Sequence, residues 1–152
     1  MAVPGCALPR SFPIRGHLLG YQLEPDSLGP IVRRSHTYLA QRANGFTIAG
    51  ASSEDAGFDR TLDPGIVSAI QGSAVELMPM LGDRQPDATW LGFRPAVDGD
   101  VPVLGRAGDT SIWLAYGHYR NGILLAPETA RRIAGAITSS SEKGSFSRTG
   151  RP

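Results

Sequence analysis

Residues 12–23 mix β-forming with small side chains and close on Glu24-Pro25-Asp26, a turn signal, which predicts a strand. A second strand is expected over 31–34. Two short β-type runs, 37–42 and 46–51, flank Ala43-Asn44-Gly45, and Asn-Gly in that position predicts a hairpin. Asp63-Pro64 reads as a helix N-cap followed by proline at the first helical position. Ile66, Ile70, Ala74, Leu77 and Leu81 then recur at spacings of four and three, so a helix over 64–80 should lay one apolar face on the sheet, with Pro79 limiting its length. Further β-type runs at 89–94 and 101–104 are divided by Val97-Asp98-Gly99-Asp100, and 112–116 is a more apolar strand. A last helix is expected over 121–138, with Ala126, Ala130, Ile133 and Ile137 on one face. Pro127 must sit in its first turns or kink it. Residues 139–152 are too polar to hold a core and read as a disordered tail, which leaves 1–138 as the folded region. The pattern is α+β, a largely antiparallel or mixed sheet with two main helices.

Composition narrows this picture. With 152 residues, 41% of them hydrophobic, the chain suits one domain with a real core. Its 19 glycines and 12 prolines follow no period and act as turn punctuation, in keeping with many short strands. A formal net charge of +1 speaks against a nucleic-acid partner, and no apolar run approaches the length needed to span a bilayer. Residues 1–9 lack a basic start and a long apolar core, so they do not read as a signal peptide. Cys6 is the only cysteine, which excludes an internal disulfide framework and points to the cytoplasm. Lysine occurs once, at Lys143, so arginine supplies nearly all the positive charge and favours planar pairing with carboxylate or phosphate.

Three places carry candidate chemistry. Gly117-His118-Tyr119-Arg120-Asn121-Gly122-Ile123 lies between an apolar strand and a helix, where unpaired backbone N–H groups and the helix dipole favour an anion; a glycine-rich connector capped by Asn121 is the competing reading. In Trp90-Leu91-Gly92-Phe93-Arg94-Pro95 an arginine follows an apolar strand, placed either to pair with a carboxylate or to stack on Trp90 or Phe93. Tyr38 either presents its hydroxyl to a ligand or simply packs. The histidines, His17, His36 and His118, lie too far apart to argue a metal site. The acidic run from Glu54 to Asp59 lacks EF-hand spacing and reads as a solvated loop. Neither Gly-x-Ser-x-Gly nor Gly-x-Gly-x-x-Gly occurs.

Five segments in one order are more specific than any of these alone: Tyr38-Leu39-Ala40-Gln41-Arg42; Gly50-Ala51-Ser52 with Glu54 and Gly57-Phe58-Asp59; Trp90 to Pro95; Pro102-Val103-Leu104-Gly105; and Gly117 to Pro127. This order resembles the C-terminal part of the FAD-dependent amino acid oxidases, on the side of the glycine oxidases of thiamine biosynthesis, over roughly residues 13–137. The resemblance implies the substrate domain plus the last strand and helix of the FAD domain of the D-amino acid oxidase-like fold. It also implies a longer protein whose glycine fingerprint for the FAD pyrophosphate precedes this region. Arg94 then matches the arginine that pairs with the substrate carboxylate, Arg120 a second arginine at the active-site mouth, and Tyr38 a tyrosine of the same pocket. His118, Tyr119, Arg120, Asn121, Gly122, Ile123 and Leu124 match the segment that touches the flavin ring.

The implied reaction takes a hydride from the α-carbon of a small amino acid or secondary amine. It yields an imine, then an oxo acid and ammonia, with hydrogen peroxide from flavin reoxidation. No residue of the chain is cast as an acid or base, because the cofactor carries the chemistry. FAD should be non-covalent, since Cys6 is not where some relatives attach it, and tight binding should need the region implied upstream. Gln41 stands where the family usually has proline and Val97 where it usually has threonine. Other readings stay open: a non-catalytic remnant that binds small carboxylates, one half of an oxidase whose FAD-binding half is separately encoded, and a homo-oligomer.

Overall fold

A computed structural model of the chain describes residues 6–99 and 101–145. Seven strands and two long helices follow in the order β1 (Ser11–Gln22), β2 (Val32–Arg34), β3 (Thr37–Gln41), β4 (Phe46–Gly50), α1 (Pro64–Leu77), β5 (Ala88–Val97), β6 (Val103–Arg106), β7 (Trp113–Tyr116) and α2 (Gly122–Ser145), with one-turn 3-10 helices at Pro79–Leu81 and Tyr119–Asn121. A five-stranded sheet has the order β2-β3-β4-β1-β5, and β6 and β7 form a separate pair. The fold is therefore the α+β type expected. The chain divides into two compact units, Pro13–Arg94 and the residues on either side of it.

In the first unit β1 pairs antiparallel with β4, and β4 with β3. The register sets Leu19, Ala49 and Leu39 in one cross-strand row and Leu18, Gly50 and Tyr38 in the next. Opposed residues share a face and neighbours along a strand alternate, so the rows face opposite ways. The first row joins the core: Leu19, Tyr21, Leu23, Leu39 and Ala49 pack with Ile70, Ala74, Met78 and Leu81. Each fully buried large apolar side chain there contributes about 1.5–3 kcal/mol. The second row belongs to the opposite face of the sheet.

The expected hairpin joins β3 to β4. Gly45 N–H donates to the Arg42 carbonyl at 2.9 Å and Gly45 takes φ of 84°, the left-handed residue such a turn requires. Gln41, standing where proline is usual, donates through Nε2 to the carbonyl of Glu24 and to Ser27 Oγ, while its Oε1 accepts from Leu28 N–H. It thereby ties the 24–28 turn to β3. α1 starts as predicted: Asp63 accepts from Gly65 N–H at 2.8 Å and Ile66 N–H at 3.2 Å, with Pro64 next. It ends at Leu77, earlier than the 64–80 span, because Met78 leaves helical geometry and Pro79 has no N–H to continue the ladder. β5 runs through Pro95 to Val97; as the edge strand it loses little by that missing donor.

In the second unit β6 and β7 form an antiparallel hairpin on which α2 packs. α2 carries Pro127 inside it, where the Ile123 carbonyl loses its helical partner. Two expectations change here. The helix is continuous to Ser145, so the stretch 139–145 has helical backbone, and the rest of the expected tail lies outside the described residues. Of the face assigned to Ala126, Ala130, Ile133 and Ile137, only Ile133 is half-buried and the others are exposed. The β6–β7 hairpin is too narrow to cover that stripe.

Candidate functional site

The face of the five-stranded sheet opposite the core carries Arg94 and Tyr38. On β1, Gly16 and Gly20 share this face, and their missing side chains make room for two large groups from β5. A Cβ at Gly16 would lie 2.7 Å from Arg94 Cζ, and one at Gly20 would lie 3.1 Å from Trp90 Cζ3. The guanidinium of Arg94 thus lies above Gly16 with its two Nη atoms nearest, and the rings of Phe46 and Trp90 lie above Gly20, stacked on each other at 6.3 Å. Arg94 Nη1 donates to the Ser52 carbonyl at 3.1 Å and to the Arg15 carbonyl at 3.5 Å. Arg60 approaches the Phe93 ring, at 5.7 Å. Tyr38 comes from the other side: its hydroxyl lies 3.6 Å and Leu18 Cδ2 3.1 Å from a Cβ built at Gly50. Phenol and guanidinium so lie on one face of the sheet, the phenol over Gly50 of β4, which pairs with Leu18, and the guanidinium over Gly16 of β1.

Behind this face lies a polar network that the sequence did not reveal. Arg15, 7% exposed, donates to Glu54 Oε2 and Asp59 Oδ2, both at 2.7 Å, and to the Thr61 carbonyl at 3.2 Å. The Arg15 and Glu54 backbones exchange two hydrogen bonds of 2.9 Å. Glu54 and Asp59 are therefore ligands of a buried guanidinium, while Asp55, Gly57, Phe58 and Asp59 lie exposed in a loop, as expected of this acidic run. The Glu54 bond, above all, raises the Arg15 pKa. Burial pushes the Glu54 carboxyl up, but hydrogen bonds from Ser52 and Arg15 outweigh it and hold it below 4.5. Asp59 is held below 3.8, chiefly by Thr61.

His17, fully buried, completes the network. Its Nε2 accepts from Asp63 N–H at 3.1 Å, which assigns the ring proton to Nδ1, facing Ser52 Oγ and Glu54 Oε2, each at 3.2 Å. Its backbone N–H donates to Ser52 Oγ at 2.7 Å and its carbonyl accepts from Ser52 N–H. The available signal was period two: residues 15, 17, 19, 21 and 23 share the buried face of β1, so Arg15 and His17 had to find partners.

The 117–124 segment belongs to the other unit. Gly117 has φ of 82°, and a Cβ there would lie 2.8 Å from Val97 Cγ2, so the close approach to β5 excludes any side chain. Tyr119 also has positive φ, 53°. His118 Nε2 meets Thr129 Oγ1 at 2.9 Å and so anchors the turn to the second turn of α2. Asn121 closes the 3-10 turn with its N–H on the His118 carbonyl, and α2 begins at Gly122. Arg120 is exposed, its guanidinium 5.8 Å above the Tyr119 ring. No acidic residue occupies the first turn of α2, and Ile123 and Leu124 are 95% and 78% exposed. Among the described residues there is no cluster able to hold a metal, and no helix is long and apolar enough to cross a membrane.

The sheet face with an arginine laid over glycine, followed by a strand-turn-helix with an uncovered start, defines a class. Residues 3–136 match the FAD dependent oxidoreductase (DAO) family, and the chain belongs to that family. Among its relatives, glycine oxidase of Pseudomonas aeruginosa is 37% identical over 123 residues, covering 80% of this chain and 34% of that protein. The bifunctional protein ThiO/ThiG of Trichormus variabilis is 40% identical over 131 residues, covering 82% and 20%. The structure of glycine oxidase from Geobacillus kaustophilus superposes with a TM-score of 0.79 at 28% identity, over 89% of this chain and 37% of that one. The chain thus spans about a third or less of the length of these relatives.

Proposed function

We propose that this chain forms the substrate-side part of a glycine oxidase-like enzyme that oxidises a small amino acid or secondary amine with FAD. The observation that carries the reading is the Arg94 guanidinium seated over Gly16, with the Tyr38 hydroxyl on the same sheet face over Gly50, the partner of Leu18. Arg94 pairs with the substrate carboxylate and Tyr38 hydrogen-bonds beside it; Arg120 acts at the mouth of the site. Leu18, Trp90 and Phe46 give the clamp an apolar floor, which lowers the local dielectric and strengthens a charge pair. Orientation by these groups, rather than proton transfer, is what the chain contributes.

The start of α2 suits a planar, partly anionic ring: backbone N–H groups at the positive end of the dipole, no carboxylate in the first turn, and two uncovered apolar side chains. In this reading His118, Tyr119, Arg120, Asn121, Gly122, Ile123 and Leu124 hold FAD non-covalently, and the pyrophosphate is held outside this chain. FAD held by these residues would supply the acceptor for the hydride of the substrate α-carbon, with dioxygen as the final oxidant and hydrogen peroxide as its product. Water hydrolyses the released imine to an oxo acid and ammonia, or to an oxo acid and a primary amine where the substrate is a secondary amine. A single cysteine in this chain supports a reducing, cytoplasmic setting for this chemistry.

The test joins the chain behind the FAD-binding region of the Pseudomonas aeruginosa relative and adds glycine or sarcosine anaerobically. Bleaching of the visible flavin absorbance is expected; a fusion that holds FAD and bleaches with neither substrate nor any other small amino acid overturns the proposal. The exposure of Ile123 and Leu124 favours a second reading, in which a separately encoded FAD-binding half covers them. Co-purification of this chain alone from its own cells contradicts that reading. In a third, the chain binds small carboxylates without cofactor, and calorimetry of the isolated chain with glycine decides it.

A further inference from the structure

Resting on the carboxylate clamp proposed above, we propose that His17 is a positioning residue for Arg94, acting through Ser52 from the opposite face of the sheet. Arg94 is held from its own face by the carbonyl of Ser52, which accepts from Nη1 at 3.1 Å. That carbonyl belongs to the residue His17 grips most completely: His17 N–H reaches Ser52 Oγ at 2.7 Å, His17 Nδ1 meets the same oxygen at 3.2 Å, and Ser52 N–H returns to the His17 carbonyl at 3.4 Å. Ser52 follows the end of β4 and has no ladder of its own, so this stitch fixes where its carbonyl points. Gly16, next to His17 on β1, opens the floor on which the guanidinium lies. The other ring nitrogen accepts from Asp63 N–H, tying the imidazole to the N-cap of α1. The ring itself supplies the Nδ1 contact to Ser52 Oγ and the acceptor for Asp63 N–H, and so ties a helix start to the residue whose carbonyl holds the arginine.

The two ring nitrogens make the inference testable. In His17→Asn a side-chain amide can replace the Nδ1 donor toward Ser52 and loses Asp63; in His17→Gln a longer amide can accept from Asp63 N–H and loses Ser52. The full chain, isotope-labelled, is read by the Arg94 Nε–Hε resonance, assigned by its loss in Arg94→Lys. Hindered rotation of the guanidinium reports positioning without any ligand, and titration with acetate reports the clamp. His17→Asn is expected to keep hindered rotation, whereas His17→Gln averages the Nη signals and weakens acetate binding about tenfold. Wild-type behaviour in both variants, or equal loss in both, overturns the inference, the latter because it assigns the effect to core packing. Should either fail to fold, Ser52→Ala removes only Oγ and is expected to behave as His17→Gln; unchanged Arg94 signals in folded Ser52→Ala overturn the inference as well. An Arg94 resonance hindered in the wild type but blind to acetate defeats the clamp and not the positioning.

Discussion

Gly16→Ala places one methyl group where the structure has put a guanidinium. The new Cβ would stand 2.7 Å from Arg94 Cζ, against an ordinary carbon contact of about 3.5–4.0 Å, so the head of Arg94 must retreat by about 1 Å. Its hydrogen bond to the Ser52 carbonyl, 3.1 Å long, does not survive that movement. A hydrogen bond from a charged donor contributes about 1.5–3 kcal/mol, while replacing glycine by alanine in an extended strand returns about 0.5–1 kcal/mol by restricting the unfolded chain. The expected net loss is about 1–2 kcal/mol. Gly92→Ala is the matched control: Gly92 lies on β5 on the same face as Arg94, is exposed, and has nothing within 4 Å of a built Cβ. It should be neutral or stabilising by up to about 1 kcal/mol. Urea denaturation followed by circular dichroism measures both variants, with unchanged m-values required for the comparison. If Gly16→Ala is as stable as Gly92→Ala, Arg94 does not rest on β1 and the clamp geometry is wrong.

Three further outcomes follow from the same structure. Asp63→Ala removes the acceptor of two N–H groups at the start of α1 and should lower stability by about 1 kcal/mol in urea; no change would mean the cap is not formed. Because the Glu54 carboxyl is held below 4.5 in the fold, its stabilisation is complete above that pH and is lost as pH falls through the folded value. Glu54→Gln should accordingly lower the urea midpoint at neutral pH and flatten its acid-side decline, and a decline as steep as in the wild type would refute the assignment. Glu128, held at about 2 by Arg131 and Arg132, is too exposed to produce that decline. Among the described residues the buried Tyr21 hydroxyl has no hydrogen-bond partner, so Tyr21→Phe should be neutral or stabilising by up to about 1 kcal/mol; a loss above 1 kcal/mol would reveal a partner.

Local chemistry made much of the fold legible in the sequence. Asn44-Gly45 demanded a turn, Asp63-Pro64 demanded a helix start, and Pro79 limited α1, because each acts within a few residues of itself. The apolar face of α1 was legible for the same reason, since Ile70, Ala74 and Leu81 meet the sheet through a fixed helical period. What escaped depends on partners distant in sequence. Arg15 meets Glu54 and Asp59 only because β1 lies beside the chain leaving β4, and no spacing announces that pairing. The polar serine run after Thr138 hid the continuation of α2, for a helix needs no apolar face to form its own hydrogen bonds. Of the candidate site, Arg94 and Tyr38 were legible through the ordered motifs, whereas Gly16, the residue that admits the guanidinium, looked like any glycine in a strand.

The central claim, that Arg94 recognises a substrate carboxylate, is tested most directly by comparing two substrates in two fusions to the FAD-binding region of the Pseudomonas aeruginosa glycine oxidase. One fusion carries the chain unchanged and the other Arg94→Met, and kcat/KM is measured for glycine and for a small amine without a carboxylate. Loss of a desolvated charge pair costs about 2–5 kcal/mol, so glycine should lose at least about thirtyfold in the variant while the carboxylate-free amine changes by less than about threefold. An equal loss for both substrates would contradict the account, because Arg94 would then support the fold or the flavin and not the carboxylate.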